Sequence, residues 1–445
     1  MNGMNYEKIK SVILAILVIA SIFLTWGLWT YQPEYNFIEN PEYIQSVSVG
    51  NAKVDASVII RPSKIMVHKN GTHYGITESL EISNFMKEVE KWSFDEFVNI
   101  SSNIPREEFL SFLQQKGRVE IIYPDDFPVE VYRNIFEIED NDIEGVSFDR
   151  IVVPIEKKED SVVYFVSTEE LKVYKATANN FNLQEITNIY NRAGLYPHYI
   201  TYDISQTKAL YIPKGSVTMK RLQYYTDELD VDKFKEVLFG NPSFVKQDLL
   251  AFREEFTDGS RLMDVNYIQR KLSYINPAAQ KTVGGTDPTI IQKSIDFVNE
   301  HGGWTDTYHF AGWNEKNRKV IFRLMTNNYP VFNEFGMSEV VQEWGDMEIV
   351  EYQRPIFRLE IADQTSIPVE MLPGEEIIEY LRNAKNVDMD LVEDIVLGYE
   401  LVRDAEREKV VILEPRWFCK YAGIWRKIVF KDEGELGGGN VIGLE

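Results

Sequence analysis

The chain has 445 residues and a formal charge of −23, from 47 Lys and Arg against 70 Asp and Glu. An apolar fraction of 44% supplies a real core and excludes disorder as the default. The acidic balance excludes nucleic acid as a partner, because counterion release rewards only basic surfaces.

The first element in chain order is an uncharged run from Ser11 to Tyr31. Such a run is long enough for a helix to cross about 30 Å of hydrocarbon. A cleavable signal would have a shorter apolar region, about 7–15 residues, ending in small residues. This one ends in Trp26, Trp29 and Tyr31, whose rings favour the headgroup layer. The run is therefore read as a retained anchor, and with no cysteine near it a lipoprotein is excluded. Lys8 and Lys10 precede it, and Glu34, Glu39 and Glu42 follow. The positive-inside rule then predicts residues 1–10 in the cytoplasm, 11–31 as a transmembrane helix and the remainder outside. Ala20 and Gly27 share one face of that helix and are candidate helix–helix contacts, since helices in lipid associate through small residues. Small residues are also ordinary in membrane helices.

Residues 32–197 predict an α+β ectodomain region. A juxtamembrane stretch leads into a hairpin, Ser63–His68 and Thr72–Thr77 around Asn70-Gly71, because both central residues of a type I′ turn need positive φ. Helical periodicity follows over Ser79–Lys91, with Leu80, Ile82, Phe85, Met86 and Val89 apolar, and over Arg106–Gln115. Strands are predicted at Val119–Tyr123, Ile151–Ile155 and Val162–Val166, and a helix at Leu183–Arg192.

Residues 198–283 predict a central α+β domain. It has strands at Ala209–Ile212 and Val217–Tyr225, a helix near Val231–Phe239, and a hairpin joining Glu254–Thr257 to Arg261–Val265 through Asp258-Gly259. Asn276-Pro277 to Gly284-Gly285 has linker composition. Residues 284–430 predict a helix and antiparallel-sheet domain. Asp287 and Pro288 open a helix lined by Ile291, Ile295 and Val298, and Gly302-Gly303 stops it. Two hairpins and a helix after Pro373-Gly374 complete it. Gly437-Gly438-Gly439 predicts a flexible tail over 431–445. The fold class is α+β: one N-terminal transmembrane helix, then antiparallel sheets with packed helices.

A search for chemistry finds no catalytic, cofactor or metal signature. His68, His73, His198, His301 and His309 form no H-E-x-x-H or His–Cys cluster, so a zinc site lacks ligands in local sequence. His301 is read as a polar helix end and His309 as a solvent-facing strand position. The G-x-S-x-G elbow, the S-x-x-K set and the phosphate-binding G-x-x-x-x-G-K-[ST] are absent. Cys419, the single cysteine, alternates with Trp417 and Tyr421 and predicts a buried strand thiol. Asp140-x-Asp142-x-Glu144-Gly145 begins like a calcium loop, but Ile151 stands where a bidentate Glu is needed. A pair of carboxylates for glycoside hydrolysis is not singled out.

Several segments resemble the YycH family. They are Lys8-Ile9-Lys10-Ser11 with Leu24-Thr25-Trp26 and Gln32-Pro33, then Phe239-Gly240-Asn241-Pro242-Ser243 and Thr257-Asp258-Gly259-Ser260-Arg261. His301-Gly302-Gly303-Trp304-Thr305-Asp306, Glu351-Tyr352-Gln353-Arg354-Pro355 and Leu413-Glu414-Pro415-Arg416-Trp417 follow in the expected order. The resemblance implies a single-pass cell-membrane protein with an extracytoplasmic α/β ectodomain whose C-terminal part is similar to YycI. It implies regulation of the WalK (YycG) sensor histidine kinase of the WalKR system, which controls cell-wall metabolism, together with YycI and without an active site. Contact with YycI through exposed aromatics around Trp304, Trp313 or Trp417 is the expected ectodomain interface. The alternative is an anchored wall carbohydrate-binding module or hydrolase.

Overall fold

The computed structural model describes Leu14 and residues 16–21, 53–133, 135–138, 145–155, 161–279, 287–362 and 366–430. The chain divides into two units, Met1–Gln45 and Ser46–Glu445. In the first, Leu14 and residues 16–21 are helical, and Leu14, Ile16, Leu17, Val18 and Ile19 are all more than half exposed despite being apolar. Among the described residues no helix is long and apolar enough to cross a membrane. Most of the predicted span, including Ser11, Trp26, Gly27, Trp29 and Tyr31, lies outside the described residues.

The second unit is sheet-rich. Its first sheet has ten described strands and is antiparallel except where Ser93–Asn99 meets Glu137–Ile138. Asn70 and Gly71, at φ 54° and 78°, close the predicted hairpin and set His68 opposite His73. Lys64–Lys69 then pairs with Arg118–Pro128, which pairs with Ser147–Pro154. One face of this sheet is closed by the helix Ser79–Val89 through Ile82, Phe85, Met86 and Val89. Leu80, expected on that apolar stripe, is instead 72% exposed. The predicted helix over 106–115 is shorter than expected: a 3₁₀ turn at Arg106–Glu108 leads into Phe109–Leu113.

The second sheet has fifteen described strands, again almost wholly antiparallel. Residues 198–283 contribute to both sheets. His198–Asp203 and Ala209–Pro213 complete the first, whereas Val217–Glu228 sits inside the second, beside Val410–Tyr421. The helix expected from Asp287 begins at Ile290, and Asp287 caps it from outside by accepting the Thr289 amide at 3.0 Å. Gly302 and Gly303, both at positive φ, end it.

Two of the segments that carry the family resemblance form one buried knot. The Arg354 guanidinium, 1% exposed, donates to the Gly303 carbonyl and the Tyr352 hydroxyl, each at 3.2 Å. Its plane lies over the Phe234 ring, 4.9 Å from the centroid. Trp304 and Trp417 correct the expectation of exposed aromatics: they are 2% and 1% exposed. Trp313 is half-buried. Trp304 packs edge-on against Phe322 and donates its indole N–H to Asn299 Oδ1 at 3.0 Å. Trp304→Ala should cost about 3–5 kcal/mol by removing a buried indole; a urea midpoint within experimental error of the parent would contradict this packing.

Candidate functional site

The site is a cleft where the two sheets of the second unit meet. Its seam is held by Asp125, at the end of the apolar run Val119–Tyr123, and the hairpin Tyr308–Asn314 with Lys319–Thr326. Asp125 Oδ2 accepts the Trp313 backbone N–H at 3.1 Å. Gly312 allows this approach, because a Cβ there would lie 2.7 Å from the same oxygen. Beside it Phe127 meets Phe310 edge-on, with centroids 5.7 Å apart. Asn328 adds a second tie by donating to the Thr77 carbonyl at 2.9 Å.

The cleft so formed has a volume of about 790 Å³ and is lined by charged groups of both signs. Asp125, Asp126, Asp149 and Glu393 line it together with Arg150, Lys208, Arg323 and Lys420, and Arg150 pairs with Asp149 and Lys420 with Glu393. A narrower cavity of about 170 Å³ adjoins it, with Ser63, Lys64, Arg323 and Trp425 common to both.

Behind the wide cleft lies a polar network centred on Glu120, which is 0% exposed. Glu120 accepts from Tyr211 at 2.7 Å and from Arg150 at 2.9 Å, and sits 2.6 Å from His68 Nε2. Burial pushes Glu120 up, but His68, Arg150 and Tyr211 together outweigh it and hold the carboxyl down at about 2. His73 Nδ1 is 2.6 Å from His68 Nδ1. Burial, aided by His68 and opposed by Glu120, holds His73 down at about 4. Arg150 continues the chain to Asp149 at 3.2 Å, and Asp149 accepts the Thr168 backbone N–H at 2.7 Å.

Two carboxylates in the cleft behave oppositely to Glu120. Burial pushes Asp125 up to about 6. Burial and then the charge of Asp149 push Asp126 up to about 8, against one hydrogen bond from Ser167 at 3.0 Å. Among the described residues no group of three or more His, Cys, Asp or Glu side chains is arranged to hold a metal ion.

The structure gathers His68 and His73, which the sequence left apart, and leaves His198 exposed at a strand start. His301 stacks on Phe297 at the helix end, 4.0 Å between centroids. His309 corrects the expectation of a solvent-facing position: it is 6% exposed, and burial, then the charge of Arg61, hold it down at about 3. Cys419 is buried as predicted, and burial pushes its thiol up to about 12. Ala20 is one of the helical residues of the first unit. Asp140, Asp142 and Glu144 lie outside the described residues, while Ile151 is a buried strand residue. What sequence reasoning missed are charged residues inside apolar strand runs: His68 in Ile65–Lys69, Glu120 in Val119–Tyr123, Arg323 in Val320–Met325. A lone charge at such a place has to be paired or to serve a site, and that was the available signal.

Glu120→Gln should destabilise the protein by about 3–5 kcal/mol, since it breaks a buried ion pair and leaves Arg150 with Asp149 as its remaining carboxylate partner. Glu120 is ionised when folded down to about 2, below its unfolded value near about 4. Its contribution is therefore complete above that unfolded value and fades as pH falls toward 2; urea melts of parent and variant at several pH values should converge on acidification. Asp126 has the opposite sign. It keeps a proton that the unfolded chain releases near about pH 4, so it loses stability as pH rises from there to about 8. Asp126→Asn should raise the melting temperature at neutral pH and much less at pH 4; an equal shift at both would refute the assignment.

The description "YycH protein, N-terminal domain" matches residues 7–194, and "YycH protein, C-terminal domain" matches residues 207–435. The chain is 27% identical over 438 residues to a Bacillus subtilis (strain 168) protein named "Two-component system WalR/WalK regulatory protein YycH", covering 94% of this chain and 96% of that one. The crystal structure of YycH from Bacillus subtilis superposes with a TM-score of 0.75 at 24% identity, over 86% of this chain and 100% of that one; it shows the same mixed, sheet-rich fold. The chain belongs to the YycH family.

Proposed function

We propose that this member of the YycH family is a membrane-anchored, extracytoplasmic regulator of the WalK (YycG) sensor histidine kinase, and that it acts by contact rather than by catalysis. The observation that carries the reading is similarity along nearly the whole chain to a protein named for WalR/WalK regulation. The uncharged run Ser11–Tyr31, with exposed apolar side chains on its described helical residues, supports an anchor. Lys8 and Lys10 support a cytoplasmic N-terminus with the sheets outside the cell.

YycI is the second proposed partner, in one complex with the kinase that controls cell-wall metabolism. Two routes of contact are open to it: packing of membrane helices at Ala20 and Gly27, and an ectodomain surface. Trp304 and Trp417 are removed from the second route by burial, which leaves Trp313 among the three indoles proposed. Signalling by helix packing requires two arrangements of the bundle that favour kinase-on and kinase-off states differently.

Purification of the full-length chain from membranes should recover WalK and YycI; recovery of neither, or secretion of a form trimmed after residue 31, refutes the reading. The double change Ala20→Leu with Gly27→Leu should alter the output of a WalK-dependent reporter while the protein stays in the membrane. Unchanged output with unchanged co-purification would reject the helix contact and leave the ectodomain route.

A further inference from the structure

The narrow cavity beside the cleft is positively charged inside a protein whose charge is −23. Three cations line it, Arg61, Lys64 and Arg323, against one lining carboxylate, Asp394, and Glu339 pairs with Arg323. Asp394 is engaged locally, accepting the Ile395 amide at 2.8 Å. The remaining wall is largely apolar, with Tyr199, Phe310, Met325, Tyr329, Phe332 and Leu397. His309 stands directly opposite Arg323 across the hairpin and is uncharged near neutral pH.

Arg323 is the informative residue. It is 5% exposed, and one nitrogen, Nη2, donates to Glu339. Its flat face lies 4.3 Å from the centroid of the Phe332 ring, a cation–π contact. The other two nitrogens, Nε and Nη1, are buried and have no hydrogen-bond partner. A ring face does not accept the in-plane N–H groups of a guanidinium. Buried donors left unmade are costly, and Arg323 lines the cavity with two of its donors unused by the chain.

We propose that this cavity binds a small anion with an apolar body, placing an aryl or short-alkyl group inside and a carboxylate or phosphate against Arg323 and Lys64. The volume of about 170 Å³ suits a ring, because a dry cavity of about 150 Å³ is enough for benzene. A larger ligand extends through the shared wall at Ser63 and Trp425 into the wide cleft, where polar groups of both signs receive its remainder. This binding site goes beyond regulation of a kinase and does not depend on it.

The test is calorimetric titration of the full-length protein, held in nanodiscs of zwitterionic phosphatidylcholine, with phenyl phosphate, benzoate, benzyl alcohol and inorganic phosphate. At least one aryl anion should bind about tenfold or more tightly than both benzyl alcohol and inorganic phosphate, as expected for a charge-assisted hydrogen bond added to apolar burial. The two aryl anions distinguish a phosphate from a carboxylate head. Arg323→Gln and Lys64→Gln should each weaken the aryl anion severalfold and leave benzyl alcohol unaffected. Should Arg323→Gln not fold, Lys64→Gln, at the half-buried first position of Lys64–Lys69, decides with the alcohol comparison. The proposal is overturned if no aryl anion binds, if benzyl alcohol binds as tightly, or if a Lys64→Gln protein that melts like the parent keeps full affinity.

Discussion

The hydrogen bond from the Trp313 backbone to Asp125, passing over a residue with no side chain, joins the two sheets of the large unit. A carboxylate this deeply placed is expensive to ionise, and its upward displacement to about 6 records that cost. Burial of Phe127 against Phe310 at the same seam offsets it. The sheets also touch where Ala209–Pro213 lies against Val392–Arg403 and where Asn328 donates to the Thr77 carbonyl, so they are held together at more than one place. The cleft of about 790 Å³ and its narrower neighbour occupy the space left over. Asp125, Gly312 and Trp313, which line the cleft, are positioned by this seam.

The Glu120 network has a different role. It ties together strands distant in sequence, Lys64–Lys69, Ser147–Pro154 and Ala209–Pro213, through one carboxylate with no water contact. A buried ionic network of this kind adds less stability than its distances suggest, because desolvation consumes most of the attraction. It does fix geometry. Arg150 and Tyr211 both line the wide cleft, so the network sets the shape of that wall. Breaking it leaves buried charge with fewer partners, so loss of one partner is expected to be costly.

Much of this architecture was legible in the sequence, and the reasons are local. Asn70-Gly71 and Asp258-Gly259 do mark hairpin turns, with Asn70, Gly71 and Gly259 at positive φ. The helices Val231–Leu238 and Gly374–Asn383 followed from period and flanking residues. Ser93–Asn99 was not foreseen, because its sequence SFDEFVN carries two acids and a bulge at Glu96, φ 54°. Lys172–Asn179 has only Val173 and Tyr174 as large apolar residues before the small and polar run Lys175–Asn179, which gives too weak an apolar signal. The burial of His309 was invisible for another reason: period two assigns a residue to a face, but which face a second sheet covers is a long-range fact. The same holds for the site, whose parts run from Arg61 to Trp425 with no local motif.

The charge pattern completes the argument. A net charge of −23 creates a repulsive field for anions at a distance, yet ionic screening limits that field to about 8 Å in physiological salt. Selectivity for an anion must then come from groups it meets at contact, in a region where water is scarce and screening is weak. Arg323, with two unmade donors, and Lys64 meet that requirement, while Asp394 is the one carboxylate among the lining residues and Glu339 pairs with Arg323. An acidic exterior and a cationic cavity are therefore compatible: the exterior slows approach, and the interior decides what stays.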